Sequence, residues 1–283
     1  MLHKVTQPWE EPMPVARRKN RTSSAKSKTV ERAGLILACF TEAKPHLTLT
    51  DLAAELELNP STAYRYIASL QGAGLLERDA RQGGYRLGLR VIELAGIALN
   101  QIEARKNALD ELDRLCDELN LLTNLAVLFE GDVLHLAHAA PKEVPRMYTA
   151  LGRRAVAHCT ALGKVLLAHR PWEEVKQIVR QYGWRPYTPH SIQSFDRLQT
   201  ELTGIRKQGY SLDREERRLG VGCIAAPVRE RSGQVVAALS VSGAIERLIG
   251  ESGEFSGQIL RRVLEAANRV SFRLGYHGTT AYL

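Results

Sequence analysis

The chain has 283 residues, a formal net charge of +8, and 44% hydrophobic and 25% charged side chains. That length leaves room for about two domains, and the composition excludes a disordered, collagen-like or disulfide-framework protein. No apolar run approaches the ~18 residues of a membrane span, no secretory signal is evident, and Cys39, Cys116, Cys159 and Cys223 stand far apart; a soluble protein of the reducing cytoplasm is expected.

The charge is unevenly placed. Residues 1–28 hold seven basic and two acidic side chains, three prolines and no apolar periodicity, which predicts a disordered basic tail that either touches DNA phosphates or merely solubilises. Residues 29–90 carry seven of each sign, but 29–60 have a net −3 and 61–90 a net +3. A DNA-facing surface in this segment belongs to its second half.

From Val30 to Phe40 the pattern is helical, with Ala33, Leu35, Ile36, Leu37 and Phe40 as the apolar stripe. Thr50 is the expected cap of a short helix over Asp51–Leu56. Asn59 and Pro60 are a strong helix start, and a third helix is expected from Pro60 to about Gln71, stopped by Gly72 and Gly74. Ala63, Ile67 and Leu70 face its core, leaving Ser61, Thr62, Tyr64, Arg65 and Ser69 outward. Two helices joined by a brief turn, the second opening with small polar and Arg residues, form a helix-turn-helix whose second helix enters the major groove N-terminus first. Arg65 suits guanine, and Ser61 and Thr62 suit phosphates or base edges.

Leu75–Arg78 and Tyr85–Leu87 read as strands joined around Gly83 and Gly84, a wing whose Arg78, Arg81 and Arg86 can reach phosphate or the minor groove. The run TLTDLAAELELNPSTAYRYIASLQGAGLLER, followed by YRLG, resembles the winged-helix domain of the IclR family of bacterial transcriptional regulators.

Beyond the wing, 89–108 is expected to be a linker helix. Its apolar residues Val91, Ile92, Leu94, Ala95, Ile97, Ala98 and Ile102 need a partner surface, either a second copy of the chain or its own domain. Residues 109–277 form the larger expected domain, with a short tail at 278–283. It opens with a helix over Leu109–Leu119, and strands follow at Thr123–Phe129 and Asp132–Ala139. Helices are expected at Ala161–His169, Pro171–Tyr182, Phe195–Gln208 and Phe255–Leu274, with strands at Val221–Arg229 and Gln234–Ser242. Hairpins mixed with helices predict an α+β fold on an antiparallel sheet.

The stretch GRRAVAHCTALGKVLLA (152–168), Gly209–Asp213, Gly222–Val228 and Ala238–Gly243 resemble the same family's GAF/PAS-like effector-binding domain. The resemblance spans roughly residues 29–275; it departs at Val156, where the family usually has proline. It implies a ligand-responsive, sequence-specific DNA-binding regulator, a homodimer or homotetramer, sensing a small organic acid that is aromatic in some relatives. The effector contacts it implies are Ala161, Leu162, Asp213, Cys223, Ser240 and Ser242. Residue chemistry agrees. A helix opening near Thr160 presents free amides to a carboxylate, and Ser240 and Ser242 alternate onto one strand face.

Other chemistries find less support in the sequence. Ala161–Lys164 lacks the first glycine of a phosphate loop, and Gly220-Val221-Gly222 precedes a strand and is followed by Ala225. His135 and His138, three apart in a strand, are expected to point to opposite faces and make a poor metal pair. No catalytic residue, cofactor or metal is assigned. The rival readings are a metal-dependent enzyme using His158, Cys159 and Asp213, and an architectural DNA binder without a ligand.

Overall fold

The computed structural model describes residues 27–142, 151–250 and 253–278, so the expected tails at 1–28 and 278–283 fall almost entirely outside them. The chain divides into two compact units, Met1–Ala98 and Leu99–Leu283. Among the described residues no helix is long and apolar enough to cross a membrane.

The first unit is a winged helix. Helix α1 (Lys28–Ala38) buries Ile36 completely, whereas Leu35, expected on the apolar stripe, is exposed. Helix α2 (Leu49–Glu55) starts two residues earlier than expected. Its cap is Thr48, not Thr50: the Thr48 hydroxyl accepts the Asp51 amide at 3.1 Å while the Asp51 carboxylate accepts the Thr48 amide at 2.8 Å. This reciprocal pair satisfies two otherwise orphaned donors, which Thr50 has no carboxylate three residues on to do. Helix α3 (Pro60–Gly72) is capped by Asn59, whose side chain accepts the Thr62 amide at 2.8 Å. Ile36, Leu47, Leu52, Ile67, Leu70 and Leu76 meet in one core. Strands β1 (Leu76–Arg78) and β2 (Tyr85–Leu87) pair antiparallel, and Leu47 adds a bridge to Tyr85 that ties the wing to the helices.

The expected linker helix over 89–108 is broken. Helix α4 (Leu89–Asn100) ends at Gln101–Ile102, where Ile102 takes extended angles (φ −87°, ψ 99°), and α5 (Glu103–Leu119) starts afresh. The break carries no Gly or Pro, and therefore no sequence signal. Leu89, Ile92, Leu94 and Ile97 of α4 are all exposed.

The second unit is α+β and GAF/PAS-like. Strands β3 (Leu122–Phe129), β4 (Asp132–Ala139), β5 (Arg154–Val156), β6 (Ser211–Arg214), β7 (Val221–Arg229) and β8 (Val235–Ala244) form one antiparallel sheet in the order β5-β4-β3-β8-β7-β6. The short edge strands β5 and β6 were not among the expected elements. On one face α5 and α10 (Gly257–Arg273) pack on Leu125, Ile224, Val228, Leu239 and Val241. On the other, α6 (Ala161–Ala168), α7 (Trp172–Tyr182) and α8 (Phe195–Gln208) cover Ala126, Ala225 and Ala238. A single turn, α9 (Ile245–Leu248), follows β8. Small residues on this second sheet face let α6, every residue of which is buried, lie close.

One irregularity changes which residues share a face. The β3–β4 register slips between Leu125 and Ala126: Leu125 faces Ala137 while Ala126 faces His135, so Leu136 is the extra residue of a bulge. Leu136 and Ala137 both enter the α5/α10 core. His135 and His138 therefore both turn to the α6 face, contrary to the simple alternation that sets them apart.

Candidate nucleic-acid interface and ligand pocket

Of the residues expected to read DNA, Ser61, Tyr64, Arg65 and Ser69 are exposed along α3, with Thr62 half-buried beside them. Two of the hydroxyls are already engaged: Ser61 Oγ donates to Asn59 Oδ1 at 2.9 Å, and Ser69 Oγ donates to the Arg65 carbonyl at 2.9 Å. Ser69 thus reinforces the helix and sits just over a full turn beyond Arg65. Among the described residues Arg65 makes no ion pair. On the wing, Arg78, Arg81 and Arg86 are exposed, but Arg86 Nε is held by Glu77 at 2.7 Å. Asp79 builds the wing turn by accepting the Arg81 and Gln82 amides, and these contacts hold its carboxyl below the usual range.

In the second unit, α6 begins at Thr160, whose hydroxyl accepts the Gly163 amide at 3.2 Å and donates to the Val156 carbonyl at 2.9 Å. The amides of Ala161 and Leu162 have no acceptor among the described residues, as the first turn of a helix requires. Strand register lays out the floor. Asp213, Cys223 and Ser242 oppose one another in one row, and Ser211, Ala225, Ser240, Asn124 and His138 form the next row along the same face. Ala225 and Cys223 pack in the cluster that contains Ala161 and Leu162, so both rows lie on the α6 side.

The electrostatics are those of buried polar groups. Burial and the Glu216 charge push the Asp213 carboxyl up to about 7. Burial and the Asp213 charge push the Cys223 thiol up to about 12, yet the residue as a whole retains some accessible surface. Ser211 and Ser240 are fully buried, and neither hydroxyl has a hydrogen-bond partner of regular geometry. Ser240 lies close enough to stabilise a Cys223 thiolate, but that is a weak contact for a buried hydroxyl.

Of the six expected effector contacts, Ala161 and Leu162 open α6, while Asp213, Cys223, Ser240 and Ser242 lie on the sheet face that α6 covers. Sequence reasoning missed Ser211, Asn124 and His138, which the register adds to the same floor. His158 is elsewhere: its ring packs edge-on against Trp184 at 5.2 Å, in a narrow cleft with Asp132 and Arg185. The supposed trio of His158, Cys159 and Asp213 does not converge. Burial pushes the Cys159 thiol up to about 12, and among the described residues no three His, Cys, Asp or Glu side chains gather as a metal would need.

Comparison with known proteins accounts for both units. The family profile described as bacterial transcriptional regulator IclR C-terminal matches residues 97–272, and the IclR helix-turn-helix domain matches residues 29–80. The HTH-type transcriptional regulator XynR of Escherichia coli (strain K12) is 32% identical over 88% of this chain and 97% of its own. The HTH-type transcriptional regulator KdgR of Dickeya chrysanthemi is 34% identical over 81% of this chain and 74% of its own. Among solved structures, an IclR homologue from Microbacterium hydrocarbonoxydans complexed with 4-hydroxybenzoate aligns with a TM-score of 0.75 at 26% identity, covering 87% of this chain and 98% of that one. These are regulators rather than enzymes. With a winged helix at one end and a C-terminal ligand-binding domain at the other, the chain belongs to the IclR family of bacterial transcriptional regulators.

Proposed function

We propose that this regulator binds its operator sequence-specifically in the cytoplasm and senses a small organic acid, seated at the N-terminus of α6. The observation that carries the sensing half is the pair of orphaned buried hydroxyls, Ser240 and Ser211, on the sheet face that α6 covers, with the amides of Ala161 and Leu162 free at the start of that helix. A carboxylate there gains the amides and the positive helix end, and it supplies the acceptor that the hydroxyls lack. Asp213 fits such a ligand because its raised pKa leaves a protonated fraction near neutral pH, which donates to a carboxylate instead of repelling it. Cys223 and Ser242 complete the seat. An aromatic acid is one candidate, given the neighbour that holds 4-hydroxybenzoate.

On DNA, Arg65 reads guanine; Ser61, Thr62, Tyr64 and Ser69 add base or backbone contacts along α3; and Arg78, Arg81 and Arg86 bring the wing to phosphate. The exposed Leu89, Ile92, Leu94 and Ile97 of α4 are the surface on which a second copy packs, giving a dimer, or a tetramer of two dimers. A dimer places two recognition helices about 34 Å apart in successive major grooves. Binding of the acid shifts operator occupancy only through a difference in its affinity for the DNA-bound and free forms.

The test combines a thermal-shift screen of aliphatic and aromatic acids with operator binding measured in their presence. An acid that raises Tm and changes operator affinity supports the proposal, with both effects lost when Ser240 and Ser242 are replaced by Ala. A Tm shift unchanged in the double variant would sink the proposed seat.

A further inference from the structure

We infer that Asn124 and His138 form a distal polar wall that sets effector specificity, admitting acids that carry a second hydrogen-bonding group roughly 5–7 Å from the carboxylate. The inference rests on the carboxylate seat proposed above and adds the far end of the same pocket.

The register places the wall. Asn124 is the direct partner of Ser240 on one side and of His138 on the other, so the three side chains stand in one line across β8, β3 and β4. Adjacent strands lie ~4.8 Å apart, which puts the His138 backbone about 10 Å from that of Ser240, and the inward reach of the side chains shortens this to the span named. His138 belongs to the line only because of the bulge at Leu136; without it, alternation would turn that position away from the His135 face.

Burial gives the line its purpose. Asn124 is 7% exposed and Ser240 is fully buried, on a sheet face where Ala126, Ala225 and Ala238 are their apolar neighbours. A buried carboxamide is costly unless something meets its donors and acceptors, and the half-buried His138 ring beside it is partly desolvated as well. Burial also holds His138 below the ordinary histidine range and His135 at about 4, so both rings are neutral at pH 7, each offering one donor and one acceptor. Among the described residues, Arg153 is the charged side chain that acts on His135. Ligands lacking a distal polar group leave the wall unpaired, and a site built to hydrogen-bond such a group rejects the analogue without it.

The test titrates the full chain with two matched pairs, 4-hydroxybenzoate against benzoate and 6-hydroxyhexanoate against hexanoate. The hydroxylated member of at least one pair is expected to bind about tenfold or more tightly. His138→Phe should abolish that preference, and His138→Gln, which keeps a donor and an acceptor, should retain most of it. Thermal melts of both variants confirm that they fold. Ser242→Ala should weaken both members of the pair alike. If hydroxylated and plain acids bind equally and Ser242→Ala weakens both, the wall is wrong and the seat stands. A preference that survives in His138→Phe also overturns the wall. Failure of all four acids to bind overturns seat and wall together.

Discussion

Asp213 shares its surroundings with a buried cation. Lys164, 1% exposed in α6, donates to Glu201 at 2.8 Å, to the Leu212 carbonyl at 2.6 Å and to Glu216, whose amide in turn donates to Asp213 Oδ1 at 2.7 Å. Desolvation works against the Lys164 charge, but Glu216 and Glu201 outweigh it and hold its pKa above the usual value. Asp213 lacks that direct pairing, and burial together with Glu216 raises it from 3.8 to about 7. The native state therefore holds this proton more tightly than the unfolded chain does. The resulting stabilisation is fully present below pH ~4 and is lost as pH rises through about 7. Asp213→Asn keeps an acceptor for the Glu216 amide and removes the titration. Its stability relative to the parent should rise between pH 5 and pH 8, by on the order of a few kcal/mol. Denaturant melts across that range decide the point: a constant difference would mean that Asp213 does not titrate there.

The elements show where sequence patterns inform and where they do not. Asn59-Pro60 and the spacing of Ala63, Ile67 and Leu70 announce α3 because capping and helical periodicity are local properties. The rows Asp213–Cys223–Ser242 and Ser240–Asn124–His138 are not local. They depend on strand order and on a bulge formed by two apolar residues, Leu136 and Ala137, that carry no turn signal. Edge strands β5 and β6 are too short for alternation to show, and the α4–α5 break has no breaker residue. The wing turn lies between these extremes. Gly83 and Gly84 mark it in the sequence, but only the structure shows that they do different work. Both have positive φ (74° and 79°); a Cβ on Gly83 meets nothing, whereas one on Gly84 would stand 2.6 Å from the Leu47 carbonyl. That carbonyl accepts the Tyr85 amide at 2.8 Å, the bond that anchors the wing. Gly83→Ala should thus cost only the left-handed strain, about 1–2 kcal/mol, while Gly84→Ala should cost clearly more and detach the wing. Urea melts compare the two directly, and equal losses would show that the Leu47 contact is unimportant.

Across the whole molecule the +8 charge is a poor guide to where DNA binds. Residues 1–28 carry most of it, the winged-helix segment is neutral overall, and its +3 half is where α3 and the wing lie. Within that half, different arginines should answer to different variables. Counterion release makes every phosphate contact salt-dependent, with a slope near −0.9 per neutralised phosphate, whereas a base-edge contact shows itself in the ratio of specific to non-specific affinity. Arg65 projects from the first two turns of α3 with no ion pair among the described residues, so Arg65→Ala should lower operator affinity ~10–100-fold and random-duplex affinity much less. Arg81, exposed at the wing tip, should weaken both duplexes alike when replaced by Ala and reduce the salt slope by about 1 per protomer. Arg86 must first leave Glu77, 2.7 Å away and half-exposed, so its replacement should matter least of the three. Mobility shifts from 50 to 200 mM salt on both duplexes separate these behaviours. Equal losses on both duplexes for Arg65→Ala would reduce that residue to a phosphate contact and move base reading to another part of α3.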